Sequence, residues 1–265
     1  MEDVSHMTGE SNFKRSNRYS EVTFNGSKGE FYFRDKDAEK DEKGKYPKEA
    51  LGESVSVVFM KLRRVLQAKY KPNTPSLRTS EHNVKGDTVV LFEGKEKVGT
   101  FFADSDLSKS RGLYTNQIVY CYFPLKKEVV RLILKGASLG SDKTAKGVMK
   151  FYDYMQSFKE DDHLHNFITN LIPVGEDGPQ GTYYAIDFQR GEKLDDEKQT
   201  KVISLIKEVH GAITENDARL NAGTASTQPS YELPDIQADD MGDDEDDEGR
   251  KYPEEEPIRA EDIPF

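Results

Sequence analysis

Val55-Ser56-Val57-Val58-Phe59-Met60-Lys61-Leu62-Arg63-Arg64-Val65-Leu66 is the stretch that decides the fold. Alternate residues fall into two rows, which is the period-two signature of a β-strand. One row holds Val58, Met60, Leu62, Arg64 and Leu66 and reads as the core face. The other holds Val55, Val57, Phe59, Lys61 and Arg63 and sets an aromatic ring beside two cations on the opposite face.

Outward from it the chain stays β-rich. On the N-terminal side, Val22 and Phe24 precede Asn25-Gly26 and Phe31, Tyr32 and Phe33 follow Lys28-Gly29, which predicts a hairpin. Arg34 to Glu49 is almost wholly charged and reads as a solvated loop. On the C-terminal side, Pro72 to Pro75 breaks the strand and opens a long loop carrying Arg78 and Lys85. Thr88–Phe92, turning at Glu93-Gly94, and Val98–Phe102 form a second β region, with Asp104 to Ser110 as the next loop. Tyr114–Phe123 and Val129–Lys135 form a third, in which Val130, Leu132 and Leu134 alternate with Arg131, Ile133 and Lys135. Between Lys143 and Phe158 the apolar spacing changes to three and four residues, predicting an amphipathic helix. Asn166–Val174 and Thr182–Arg190 are two further β segments, and Leu194–Ile213 is a second helix opened by Asp195 or Asp196. Three strand regions, a helix, two strand regions and a terminal helix is a mainly β (α+β) order. It matches an OB-fold-like Greek-key barrel with a helix between strands 3 and 4 and a C-terminal helix.

Charge divides the chain in two. From Glu232 to Phe265 there are 15 acidic and 3 basic residues, a net of −12, and the remainder holds 35 basic and 34 acidic residues, a net of +1. The acidic pI of about 5.1 therefore describes the tail, and it does not exclude a nucleic-acid partner for the body. Four segments follow: a flexible arm at 1–20, a hairpin and charged loop at 21–50, an OB-like domain at 51–220, and a flexible linker with a disordered acidic tail at 221–265. Cys121 is the only cysteine, which excludes an internal disulfide and a Cys-based zinc site. The absence of an 18-residue apolar run and of a basic-then-apolar leader predicts a cytoplasmic protein with no membrane partner.

The chain ends in Glu261-Asp262-Ile263-Pro264-Phe265. A Phe and an Ile beside carboxylates suit a pocket with an apolar floor and a basic rim. This ending resembles the acidic tip of bacterial and phage single-stranded DNA-binding proteins, which close in Asp-Ile-Pro-Phe. The resemblance implies docking of replication and repair proteins such as helicases, clamp-loader subunits, nucleases or primases. It also implies a bacterial cytoplasm, or the host's if the chain is phage-encoded. That family often stacks bases on Trp. This chain has none, so only the tail is carried over.

A sequence-tolerant single-strand binder needs cations that track phosphates and rings that stack on bases. The candidates are Phe59, Lys61, Arg63 and Arg64 on the first strand and Tyr114, Tyr120, Tyr122, Arg131 and Lys135 on the third. Arg78 and Arg111 lie on loops that could close over the nucleic acid, and Tyr183 and Arg190 flank the last β segment. Tyr120 and Tyr122 share a row with Ile118, so that row is either core or stacking platform. Gly136 to Thr144 lacks the Gly-Lys adjacency of a phosphate-binding loop, and Asp161, Asp162, His163 and His165 read as a polar loop rather than a metal site. No catalytic constellation, cofactor or metal is implied. The expected function is to coat single-stranded DNA as one chain or several, with strand annealing or recombination mediation, or presentation of the tip without nucleic-acid binding, as alternatives.

Overall fold

The computed structural model describes residues 19–42, 46–69, 71, 74–140, 147–159, 162–178 and 181–221. The N-terminal hairpin is β1 (Ser20–Asn25) and β2 (Glu30–Arg34), followed by β3 (Lys48–Gly52). The deciding stretch is β4 (Val55–Ala68). Next come β5 (Leu77–Thr79), β6 (Thr88–Glu93), β7 (Glu96–Phe102), helix α1 (Ser105–Arg111), β8 (Leu113–Phe123) and β9 (Glu128–Leu134). Helix α2 (Phe151–Gln156), the hairpin β10 (Phe167–Gly178) and β11 (Gly181–Lys193), and helix α3 (Asp196–Asn221) complete the order.

These strands build one mixed, mainly antiparallel sheet in the order β3-β2-β1-β9-β8-β4-β5-β6-β7, with β1 parallel to β9. The 14 residues of β4 serve three neighbours. Val55 to Val57 pair with β10, Val58 to Ala68 with β8, and Gln67 with Arg78 of β5. The bonding edge of β11 away from β10 also finds partners: Tyr184 N donates to Gly26 O (2.7 Å), Ile186 N to Ser138 Oγ (3.2 Å) and Phe188 N to Met149 O (2.8 Å). The layers so joined enclose one core, in which Val22, Phe31, Phe59, Val119, Leu132, Phe151, Tyr154, Leu171 and Phe188 are all buried. Gly29 is obligatory at this seam. Its φ is +72°, and an added Cβ would lie 2.7 Å from Tyr184 Cδ1.

The expected faces of β4 are corrected by one bulge. Phe59 pairs with Cys121 but Lys61 pairs with Tyr120, so Met60 is an extra residue. Alternation reverses there, because a one-residue offset exchanges faces. Val55, Val57, Phe59 and Leu62 share the inner face, and Phe59 lies in the core rather than outside. Val58, Lys61, Arg63 and Val65 share the outer face with Tyr122, Tyr120, Ile118 and Asn116.

Other boundaries move for local reasons. The 104–110 loop is helix α1: the Asp104 side chain accepts from Asp106 N and Leu107 N, and Gly112 closes it in the left-handed region. Of the helix expected over Lys143 to Phe158, the described residues are helical from Phe151, because Gly147 has φ +103° and Lys150 is extended. The loop holding Arg78 contains β5, and the charged run from Arg34 ends in β3. The last helix runs on to Asn221, and no described helix is long and apolar enough to cross a membrane.

Candidate nucleic-acid interface

The expected central platform is present as a surface of the sheet, but α3 lies on it. Val209 and Ile213 pack with Val65, Ile118, Tyr120 and Ile133, and Val202 packs with Val58, Tyr122 and Ile168. Tyr120 and Tyr122 are therefore core rings, 5% and 4% exposed, which resolves the parity left open by the sequence.

Two arginines of that platform, Arg63 and Arg131, are buried too, and they are held by carboxylates. The Arg131 guanidinium donates to Glu21 Oε1 (2.9 Å) and to Glu81 Oε1 (2.6 Å), while the Tyr120 hydroxyl donates to Glu81 Oε2 (2.8 Å). Arg63 Nη2 donates to both Asp217 oxygens (2.9 Å) and to the Glu81 carbonyl (2.6 Å), and its Nη1 donates to Asn83 Oδ1 (3.0 Å). Burial pushes the Asp217 carboxyl up, against the pull of Arg63. Burial and then Glu81 push the Tyr120 hydroxyl well up. Burial opposes charge on Arg131 as well, but Glu81, Tyr120 and Glu21 more than offset it and hold the guanidinium charged. With Arg63 2% and Arg131 7% exposed, the network joins β1, β4, β8, β9, the loop after β5 and α3. It does not present charge to a phosphate, because buried ions retain partners inside the fold. The outward placement of Phe59, Arg63, Tyr120, Tyr122 and Arg131 is thus overturned by α3 and by the bulge.

Arg78 is also internal, on β5 at 5% exposure, instead of on a closing loop. At the second hairpin the Tyr183 hydroxyl donates to Glu176 (2.5 Å), which raises its pKa, and Glu176 is the partner of the buried Lys150. Arg190 stacks on Phe158 (3.9 Å) and Phe167 (4.9 Å) and pairs with Asp162 (2.9 Å). These two predicted residues share the hairpin but not the central platform. The stacked rings of His163 and His165 lie near Asp162, and burial lowers the pKa of His165. Among the described residues no three His, Cys, Asp or Glu side chains gather as metal ligands.

Lys61 and Arg64 are half-buried, and Arg111, Tyr114 and Lys135 are exposed. Tyr114 is 54% exposed, with Lys69 Nζ 5.2 Å from its ring centre; Arg111 lies 5.9 Å over Phe101. The neighbouring Phe102, which is absent from the sequence-based candidates, is 65% exposed. Its signal was the alternation of β7, where Phe101 and Phe102 must point to opposite faces. The tip, Glu261 to Phe265, lies outside the described residues. No protein-family model, curated protein or solved structure matches this chain.

Proposed function

We propose that the chain binds single-stranded DNA without catalysis and offers its acidic tip to replication, recombination and repair proteins in the cytoplasm of a bacterium or a phage host. The observation that carries this reading is the ending Asp262-Ile263-Pro264-Phe265 behind a segment of net charge −12, on a body of nearly balanced charge. An OB-type body is supported by the order β4, β8, β9, α2, β10, β11 and by the sharing of β4 between β8 and β10. In this reading β1 to β3, the β5–β7 region and α3 are additions to the barrel.

The test is binding of labelled oligo(dT) and of a matched duplex by the full chain and by a form lacking Glu232 to Phe265. Saturable binding of the single strand over the duplex is expected. The truncated form should bind more tightly at low salt, because a tethered anion competes for the same cations. Absence of saturable single-strand binding in both forms refutes the proposal.

A further inference from the structure

The β5–β7 limb carries a separable asymmetry. Register fixes which side chains share a face. Gln67 pairs with both Tyr114 and Arg78, Arg78 with Phe92, and Phe92 with Lys97. Thr88, in the row of Phe92, pairs with Phe102. One face of the limb therefore runs from Tyr114 across to Phe102; Arg78 and Val90 of this row are buried, while Phe92, Lys97 and the ends at Tyr114 and Phe102 reach the surface, with Lys69 over the Tyr114 ring. The opposite face carries Val89 and Leu91, which are sealed by Leu107 of α1, Leu66 and Leu113. The two carboxylates of these strands, Glu93 and Glu96, pair with each other, and Glu93 shares the row of Val89 and Leu91 on this sealed side. Two exposed lysines, Lys69 and Lys97, and two exposed rings thus lie on one side of the limb, and its acids lie on the other.

We infer that this limb face, rather than the helix-covered surface of β8 and β9, is where the chain holds single-stranded DNA. The inference rests on the single-strand reading above. The occupant follows from the chemistry. Tyr114 at 54% exposed and Phe102 at 65% exposed leave more than half of their surface open, and unpaired bases supply flat faces for both rings. Lys69 and Lys97 stand beside them for phosphates. From β8 to β7 there are four inter-strand steps, which span about 19 Å at about 4.8 Å each. At the stacked rise of about 3.4 Å per nucleotide that width corresponds to about six nucleotides.

The test is fluorescence anisotropy of labelled oligo(dT) with the full chain, its double variant Tyr114→Ala/Phe102→Ala, and Lys97→Glu. Lys207→Ala, at an exposed lysine of α3, serves as the comparison. The limb variants should each lose about tenfold or more in affinity, and Lys207→Ala should stay within about twofold. Unfolding midpoints of the limb variants should match the parent, since the altered side chains are exposed. If the parent binds and the limb variants bind equally well, the site assignment is overturned and the single-strand reading stands. If the limb variants instead change the sedimentation of the free protein and not its oligonucleotide affinity, the face is a contact between copies and the inference fails. If the parent does not bind oligo(dT), both the inference and the reading beneath it fail.

Discussion

Replacing Glu81 by Ala removes the carboxylate that joins two strands of the platform through Arg131 and Tyr120. The perturbation strips Arg131 of its 2.6 Å partner and leaves the Tyr120 hydroxyl without its 2.8 Å acceptor. Breaking a buried ion pair from one side costs about 3–5 kcal/mol. Two facts reduce that figure: Glu21 still holds Arg131, and the Glu81 side chain is 17% exposed, so water partly replaces it. About 2–3 kcal/mol therefore remains for the ion pair, and the stranded hydroxyl adds about 1 kcal/mol. The expected loss is about 3–4 kcal/mol. For a domain of this size that is roughly a 10 °C fall in Tm. Urea unfolding followed by circular dichroism should show a lowered midpoint at unchanged slope. Glu197→Ala, at an exposed carboxylate paired only with Lys201, should stay within about 0.5 kcal/mol of the parent. A Glu81→Ala variant within about 1 kcal/mol of the parent would refute the buried network, since Arg131 Nη2 and the Tyr120 hydroxyl would then have to be hydrated.

Three further outcomes are expected. Gly29→Ala should destabilise by about 2–3 kcal/mol, from left-handed backbone strain and overlap with Tyr184, and a midpoint equal to the parent's in the same urea assay would contradict the seam between the first and last hairpins. Deleting Met60 should leave a folded chain, because the ladder already skips it, whereas deleting Leu62 should bring Arg63 onto the inner face and abolish cooperative unfolding; equal tolerance of the two deletions counts against the bulge. Burial holds the His82 imidazole below its ordinary 6.5, so the unfolded chain takes up a proton that the folded one resists. Stability should be full above about pH 6.5 and fall as pH drops through that value toward the lowered folded pKa. His82→Gln should remove part of this slope, with His165 retaining the rest, and an identical pH profile in the variant would show that His82 is not desolvated.

Much of the β content was legible because alternation is local. The rows of β9, with Val130, Leu132 and Leu134 inward, appear in the structure as the sequence implies. Exposure was not legible. Arg131 and Ile133 do lie on the other face, but α3, more than 60 residues later in the chain, covers that face, and no local pattern announces it. Helix α1 could have been found from Asp104 and Gly112, whose capping chemistry is visible in the sequence. The bulge at Met60 could not, since an extra residue in one strand is defined only by its partner. For the candidate site the consequence is large: two cations on one β4 row suggested an open groove, and Arg63 is an internal ion.

The proposed function requires unpaired nucleic acid to be held through phosphate charge. The most direct measurement is the affinity of the full chain for oligo(dT) by tyrosine emission across a series of salt concentrations. Saturable quenching is expected, with an affinity falling linearly in logarithmic coordinates at a slope near −0.7 for each phosphate contacted. A flat salt response, or no quenching at any salt, would contradict the proposed function.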